Sequence, residues 1–263
     1  MDTPIETYLV QGRSIYVKRE DLAYDMPYPR LAKLRGIVPL RTRLKAEGVR
    51  TIGVYDTRVS KAGWGVAAAC RELQLECVEC IPLVQGEPIP PSAAKAIELG
   101  ARPYHPKAGR ANVCYYFSKE HVETLGGVML PMGLCCTETV GATAGVARQL
   151  PPELKRGTIA ICTGTGTILA GVIAGAPEAT IYGISCGMNV ERQRNRINQL
   201  LIGQGCFWEM RHHLIHGGFG YYDAPLTQCP FPTHPNYDLK AWSWLQEHIE
   251  LLKDPVTFWN IGS

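Results

Sequence analysis

The segment Ile161-Cys162-Thr163-Gly164-Thr165-Gly166-Thr167-Ile168-Leu169-Ala170-Gly171 sets a short apolar run ahead of a Gly/Thr turn and a stretch of small residues. Glycines let successive backbone N–H groups turn toward one point. Threonine hydroxyls add donors, and the start of a helix adds partial positive charge. Such a segment can cradle a phosphate dianion without a lysine, or it can be a plain strand-to-helix turn. No Walker lysine follows, and the glycine spacing does not match the dinucleotide fingerprint, so a nucleoside-triphosphate loop is set aside. A second segment, Pro29-Arg30-Leu31-Ala32-Lys33-Leu34-Arg35-Gly36, puts Lys33 at the start of a predicted helix. The field of a helix N-terminus disfavours a charged amine, and a neutral amine is what Schiff-base chemistry needs. The alternative is one more solvated basic residue, like Arg35, Arg41, Arg43 and Lys45. A third segment, Asp56-Thr57-Arg58-Val59-Ser60-Lys61-Ala62-Gly63-Trp64-Gly65, also opens a predicted helix. It can hold a planar ligand, or Ser60 can simply cap the helix. His212-His213-x-x-His216 has metal-like helical spacing, and Cys77-x-x-Cys80 is one isolated thiol pair. Surface or core histidines and a strand cysteine pair are the readings favoured there, with no metal site expected.

These residues must be positioned by something, and the chain alternates strand and helix. Strands are predicted over 14–18, 51–55, 76–82, 101–104, 127–131, 158–162, 180–185 and 256–260. Helices are predicted over 31–47, 62–73, 92–99, 111–125, 139–150, 166–175, 190–201 and 238–252. That order predicts an open α/β fold, mainly parallel and twisted, with helices on both faces. Ligands of such sheets bind at the carboxyl ends of the strands. Residues 85–91 read as a proline-rich surface turn. Residues 217–235, with glycine, tyrosine and proline, read as an active-site loop.

Composition bounds the rest. At 263 residues the chain is one large domain or two small ones. Lys+Arg 27 against Asp+Glu 24 gives a net charge of only +3, too balanced for attachment to nucleic acid by charge alone. Hydrophobic residues at 46% exclude global disorder. No stretch approaches ~18 uninterrupted apolar residues, and Met-Asp-Thr-Pro-Ile-Glu is no secretory signal, so a cytoplasmic protein without membrane attachment is expected. The 10 cysteines have no framework spacing and read as reduced core residues. Trp242, Trp244 and Trp259 read as packing rather than a lid.

Taken in order, these segments resemble the fold-type II pyridoxal-phosphate enzymes, in the branch of 1-aminocyclopropane-1-carboxylate deaminase and D-cysteine desulfhydrase. Thr3-Pro4-Ile5-Glu6 with Val17-Lys18-Arg19-Glu20-Asp21-Leu22 resembles that family's N-terminal strand. Ala32-Lys33-Leu34-Arg35-Gly36 resembles the motif of the cofactor lysine. Ser60-Lys61-Ala62-Gly63-Trp64-Gly65 resembles the loop for the substrate carboxylate and the cofactor's ring oxygen. Thr163-Gly164-Thr165-Gly166-Thr167 resembles the phosphate loop. Pro235-Asn236-Tyr237-Asp238-Leu239-Lys240-Ala241 resembles a late motif whose tyrosine lies near the substrate. Phe258-Trp259-Asn260-Ile261-Gly262-Ser263 resembles the final strand, whose polar residue meets the pyridine nitrogen.

The resemblance implies pyridoxal 5'-phosphate as cofactor, bound by Lys33, Lys61, Thr163, Gly164, Thr165, Gly166, Thr167, Asn260 and Ser263. It implies Lys33, Ser60, Tyr221 and Tyr237 as catalytic residues. It further implies a large domain of residues 1–45 and 136–263, a small domain of 46–135, a site in the cleft between them, and a homodimer. Three departures stand out. The family's asparagine appears as Lys61 or is displaced to Ser60, Ile261 aligns with its hydroxyl residue, and Gly218-Phe219-Gly220 replaces its Gly-Tyr-Gly turn. All three touch residues that steer reaction type. A deaminase- or desulfhydrase-like lyase acting at the α-carbon of a small amino-acid-like substrate is expected. The alternatives are a decarboxylase, including one acting on an amino acid carried by a larger molecule such as nucleic acid, and a non-catalytic relative that binds a phosphorylated ligand.

Overall fold

The computed structural model describes residues 2–107 and 109–263. In chain order the elements are β1 (Ile5–Val10), β2 (Arg13–Arg19), α1 (Leu34–Ala46), β3 (Thr51–Tyr55), α2 (Ala62–Glu72), β4 (Glu76–Cys80), α3 (Pro91–Glu98), β5 (Arg102–Tyr104), α4 (Ala111–Thr124), β6 (Val128–Met129), α5 (Thr137–Arg148) and α6 (Pro152–Arg156). They continue as β7 (Thr158–Thr163), α7 (Thr167–Gly175), β8 (Thr180–Ser185), α8 (Val190–Ile202), β9 (His212–His216), α9 (Asp238–His248) and β10 (Val256–Asn260). Short 3-10 turns lie at Glu20–Leu22, Met132–Leu134 and Ile249–Leu251. The chain divides into two compact units, residues 2–24, 30–36 and 137–263 in one, and residues 25–29 and 37–136 in the other.

The first unit is built on a six-stranded sheet of order β1-β2-β10-β7-β8-β9. Only β1 and β2 run antiparallel; the other neighbours are parallel. Strand alternation sorts its side chains. Ile159, Ile161 and Trp259 pack on one face against residues of α5, α7 and α8. Ala160, Cys162 and Phe258 face the other way, toward Trp242 and Leu245 of α9. A strand covered on both faces must be apolar throughout, which is why β7 reads Thr-Ile-Ala-Ile-Cys-Thr with every residue buried. Helix α7 is likewise buried all round. The second unit has a parallel sheet of order β5-β4-β3-β6. One face of that sheet meets α4 through Tyr55, Val78, Cys80 and Val122. On its other side, Ile52 lines one apolar cavity together with Ile37, Leu40, Val66 and Ala69 of α1 and α2.

The expected fold class is what the structure has, but four local expectations are corrected. Lys33 is not inside α1; it sits in the turn just before Leu34. The histidine cluster is not helical, since residues 212–216 are an edge strand and alternate between its faces. Strand β1 and the short α6 were not expected. All 10 cysteines are free, seven of them buried, and Trp242, Trp244 and Trp259 are core residues. Among the described residues, no helix is long and apolar enough to cross a membrane.

Candidate active site

Strand β7 ends at Thr163 and α7 begins at Thr167, leaving Gly164, Thr165 and Gly166 to turn the chain. Gly166 makes the turn with φ +87°, a conformation glycine adopts without strain. It also lies so close to Ile197 that a Cβ would meet Ile197 Cγ1 at 2.4 Å. The first turn of α7 points N–H groups outward with no intrahelical acceptor, beside the hydroxyls of Thr165 and Thr167, 3.0 Å apart. Thr163 Oγ1 is buried with no hydrogen-bond partner among the described residues. The cup is held from behind by Gln193 of α8, whose Nε2 donates to Thr163 O at 3.0 Å and Gly164 O at 2.5 Å. The Cys186 thiol also donates to Thr163 O. Lys33 Nζ reaches this cup and donates to Thr165 Oγ1 at 3.4 Å. A turn of outward N–H groups with the partnerless Thr163 hydroxyl behind it and a primary amine at its lip fits a phosphate ester that carries an aldehyde.

The Lys33 turn is tied to the end of β10. Ala32 N donates to Ile261 O at 2.9 Å, and Leu31 bridges to Gly262. Ile261 N in turn donates to Asp238 Oδ1 at 2.8 Å. Burial pushes the Asp238 carboxyl up to about 7, the Asp21 charge adding to the rise and the hydrogen bonds from Ile261 and Gly262 opposing it. Asn260 is fully buried. It accepts from Thr233 Oγ1 at 3.0 Å and donates to Pro232 O at 3.0 Å, so both ends of its amide hold the 232–233 segment. Ser263 follows, half-buried.

Tyr221 and Tyr237 come together, their hydroxyls 2.6 Å apart and their rings edge to face. Tyr237 immediately precedes α9, and Tyr221 lies in the Gly/Tyr loop after β9. That loop packs tightly on Gly187, where a Cβ would meet Tyr221 N at 2.4 Å.

Ser60 and Lys61 lie in the second unit, at the start of α2. Ser60 Oγ accepts from Ala62 N at 3.1 Å, but the N-cap of α2 is Lys61, so Ser60 closes a turn ahead of the helix rather than capping it as expected. Lys61 is the residue before the first helical turn. Beneath the turn, Asp56 Oδ2 accepts from Gly63 N at 2.9 Å. Glu79 packs its carboxyl so closely on Gly63 that a Cβ there would overlap it. Burial, with the Asp56 charge nearby, pushes the Glu79 carboxyl well above its usual range.

Sequence reasoning missed Gln193 and Asp238 as site-building residues. Gln193 is one polar residue on a polar helix, and Asp238 looks like an ordinary first-turn acid; only the packing distinguishes them.

Comparison with known proteins gives the family and the fold. No family model matches the chain. A protein of Pseudomonas phage M6, the glycyl-dTMP PLP-dependent decarboxylase, is 35% identical over 276 residues, covering 99% of this chain and 98% of its own. The chain belongs to the pyridoxal-phosphate-dependent enzymes of fold type II. Solved structures show the same fold. The crystal structure of an ACC deaminase homologue superposes with TM-score 0.85 at 18% identity, over 100% of this chain and 89% of its own. Maize serine racemase superposes with TM-score 0.67 at 15% identity, over 100% and 90%. Pyridoxal 5'-phosphate is the cofactor of this enzyme family. The Thr163–Thr167 cup would hold its phosphate and Lys33 its aldehyde carbon.

Proposed function

We propose that this enzyme decarboxylates an amino acid joined to a nucleotide. The carrying observation is identity of 35%, sustained over 99% of the chain, to a glycyl-dTMP decarboxylase. This reverses the order expected from the sequence, where a deaminase-like lyase came first.

The chemistry constrains the substrate. The amine must be free to exchange with Lys33, and the carboxylate must be free to leave. The nucleotide is therefore attached through the α-carbon that bears both. When bound, the cofactor supplies a conjugated electron sink for the pair left by the broken Cα–carboxylate bond. The protein's residues do the rest. The Gly/Thr cup anchors one end so that the reacting centre is held in place. Lys33 holds a proton at Nζ once its nitrogen is released. The Tyr221–Tyr237 pair holds another, and one of these returns to Cα as carbon dioxide leaves. Ser60 and Lys61 keep the carboxylate- and ring-oxygen-binding roles that the family resemblance implies. Asn260 is already engaged at both ends, which favours Ser263 as the group for the pyridine nitrogen.

The test is direct. A pyrimidine nucleotide carrying glycine through its α-carbon is incubated with cofactor-loaded enzyme and followed by mass spectrometry. The expected product has lost carbon dioxide and kept its nitrogen. Lys33→Ala abolishes turnover and the attachment of cofactor by borohydride. Ammonia and a keto acid from free D-cysteine or 1-aminocyclopropane-1-carboxylate, with no carbon dioxide from the nucleotide, would refute the reading.

A further inference from the structure

Lys240 is a fully buried lysine on α9. Among the described residues no carboxylate lies within ion-pair distance of its Nζ. Instead Nζ donates to two successive carbonyls, Gly220 O at 2.7 Å and Tyr221 O at 2.9 Å. A buried ammonium is costly unless its donors are used, and here two of its three go to one loop. The same helix start carries Tyr237, and Lys240 N donates to Tyr237 O at 3.0 Å. The contacts close a ring: Lys240 to the 220–221 carbonyls, Tyr221 hydroxyl to Tyr237 hydroxyl, and Tyr237 back to Lys240.

We propose that Lys240 is a positioning residue of the active site, whose ammonium clamps the Tyr221 backbone so that the two phenol hydroxyls share one proton. The proposal rests on the reading above, in which that pair serves the substrate. A rigid pair has a defined role. One hydroxyl donates to the other at 2.6 Å, so the backbone that carries Tyr221 sets the geometry of the pair. Without the clamp, the backbone that carries Tyr221 loses the ammonium that ties its carbonyl to α9, and the 2.6 Å hydroxyl contact loses its fixed geometry. The groups facing the ammonium are the thiols of Cys162 and Cys186 and the carboxylate of Asp223 from the loop. Desolvation lowers the Lys240 amine from its ordinary value, while the thiols and Asp223 oppose that.

The experiment uses cofactor-loaded enzyme and Lys240→Met, with Lys240→Gln as the variant that keeps a donor. Tyrosine ionisation is followed by near-ultraviolet absorbance in each background, with and without Tyr237→Phe. In the parent, removing Tyr237 shifts the Tyr221 titration; in Lys240→Met the shift disappears, and Lys240→Gln restores part of it. For Lys240→Met, kcat falls by about 10²-fold with KM nearly unchanged, the scale of a misplaced catalytic group. An intact Tyr221–Tyr237 coupling in Lys240→Met overturns the inference while leaving the proposed function standing. Lost coupling with unchanged kcat overturns the catalytic use of the pair. Should neither variant fold, ¹⁵N-lysine NMR of the parent decides. A water-protected ammonium signal is expected, and its absence refutes the clamp.

Discussion

Replacing Asp238 with Asn isolates one buried carboxyl whose titration is displaced by the fold. In the native protein burial lifts it to about 7 from the ordinary value of 3.8. The folded state thus keeps a proton that the unfolded chain releases near pH ~4. Between those limits the native state binds more protons, so stability falls as pH rises. The contribution is fully present below about pH 4 and gone above about 7. About three pKa units at ~1.36 kcal/mol each give a loss of ~4 kcal/mol across that window. Asn cannot titrate, and it keeps an oxygen to accept from Ile261 N, now 2.8 Å from Asp238 Oδ1. Urea unfolding of both proteins, followed by tryptophan fluorescence at several pH values between about 4.5 and 8, yields the difference in unfolding free energy by linear extrapolation. Subtracting the variant removes the titrations the two proteins share. Parent minus variant is expected to decline by ~3 kcal/mol over the assayed range, the part of the full change that lies above pH ~4.5, and to level off above about 7. A difference that stays flat, or that grows with pH, would refute the assignment of a neutral buried acid at this position.

Two further outcomes follow from packing. Gly166→Ala forces a Cβ into Ile197 at a φ of +87°. It should cost about 1–3 kcal/mol and weaken cofactor retention, seen as lost visible absorbance after dialysis. Arg35→Met removes the guanidinium that meets Glu20 at 2.6 and 3.0 Å, leaving a carboxylate of 1% exposure without its cation. Urea unfolding should then show a loss of about 3–5 kcal/mol.

How far the sequence could be read depended on which residues carry a local signal. The β7 cup was legible because glycine, threonine and a strand-length apolar run are local features with one physical use between them. Lys33 was legible as a lysine beside a helix start, although its offset from α1 was not, because helix ends depend on caps that tertiary contacts settle. Strand β9 was misread because His212, His213 and His216 fit helical spacing in so short a run. Its burial, in contrast, alternates along residues 212–215, as a strand requires. The Asp238–Ile261–Ala32 link joins segments more than 200 residues apart, and no local pattern encodes it. Nor does anything near Lys240 announce that its ammonium is sealed from water. A lysine in the first turn of a helix ordinarily snorkels, and only the loop wrapped over it says otherwise.

The place of β10 in the first sheet has a consequence for how the chain is made. It lies between β2 and β7, pairing Val256 with Ile15 on one side and with Thr158 on the other. A ribosome has therefore released residues 13–19 and 158–163 long before the strand that joins them exists. Until then the nascent protein carries two half-sheets with raw edges, each a template for the wrong partner. Closure must wait for the distant loop to shut, so this half of the molecule should mature slowly and be the half that needs guarding from aggregation.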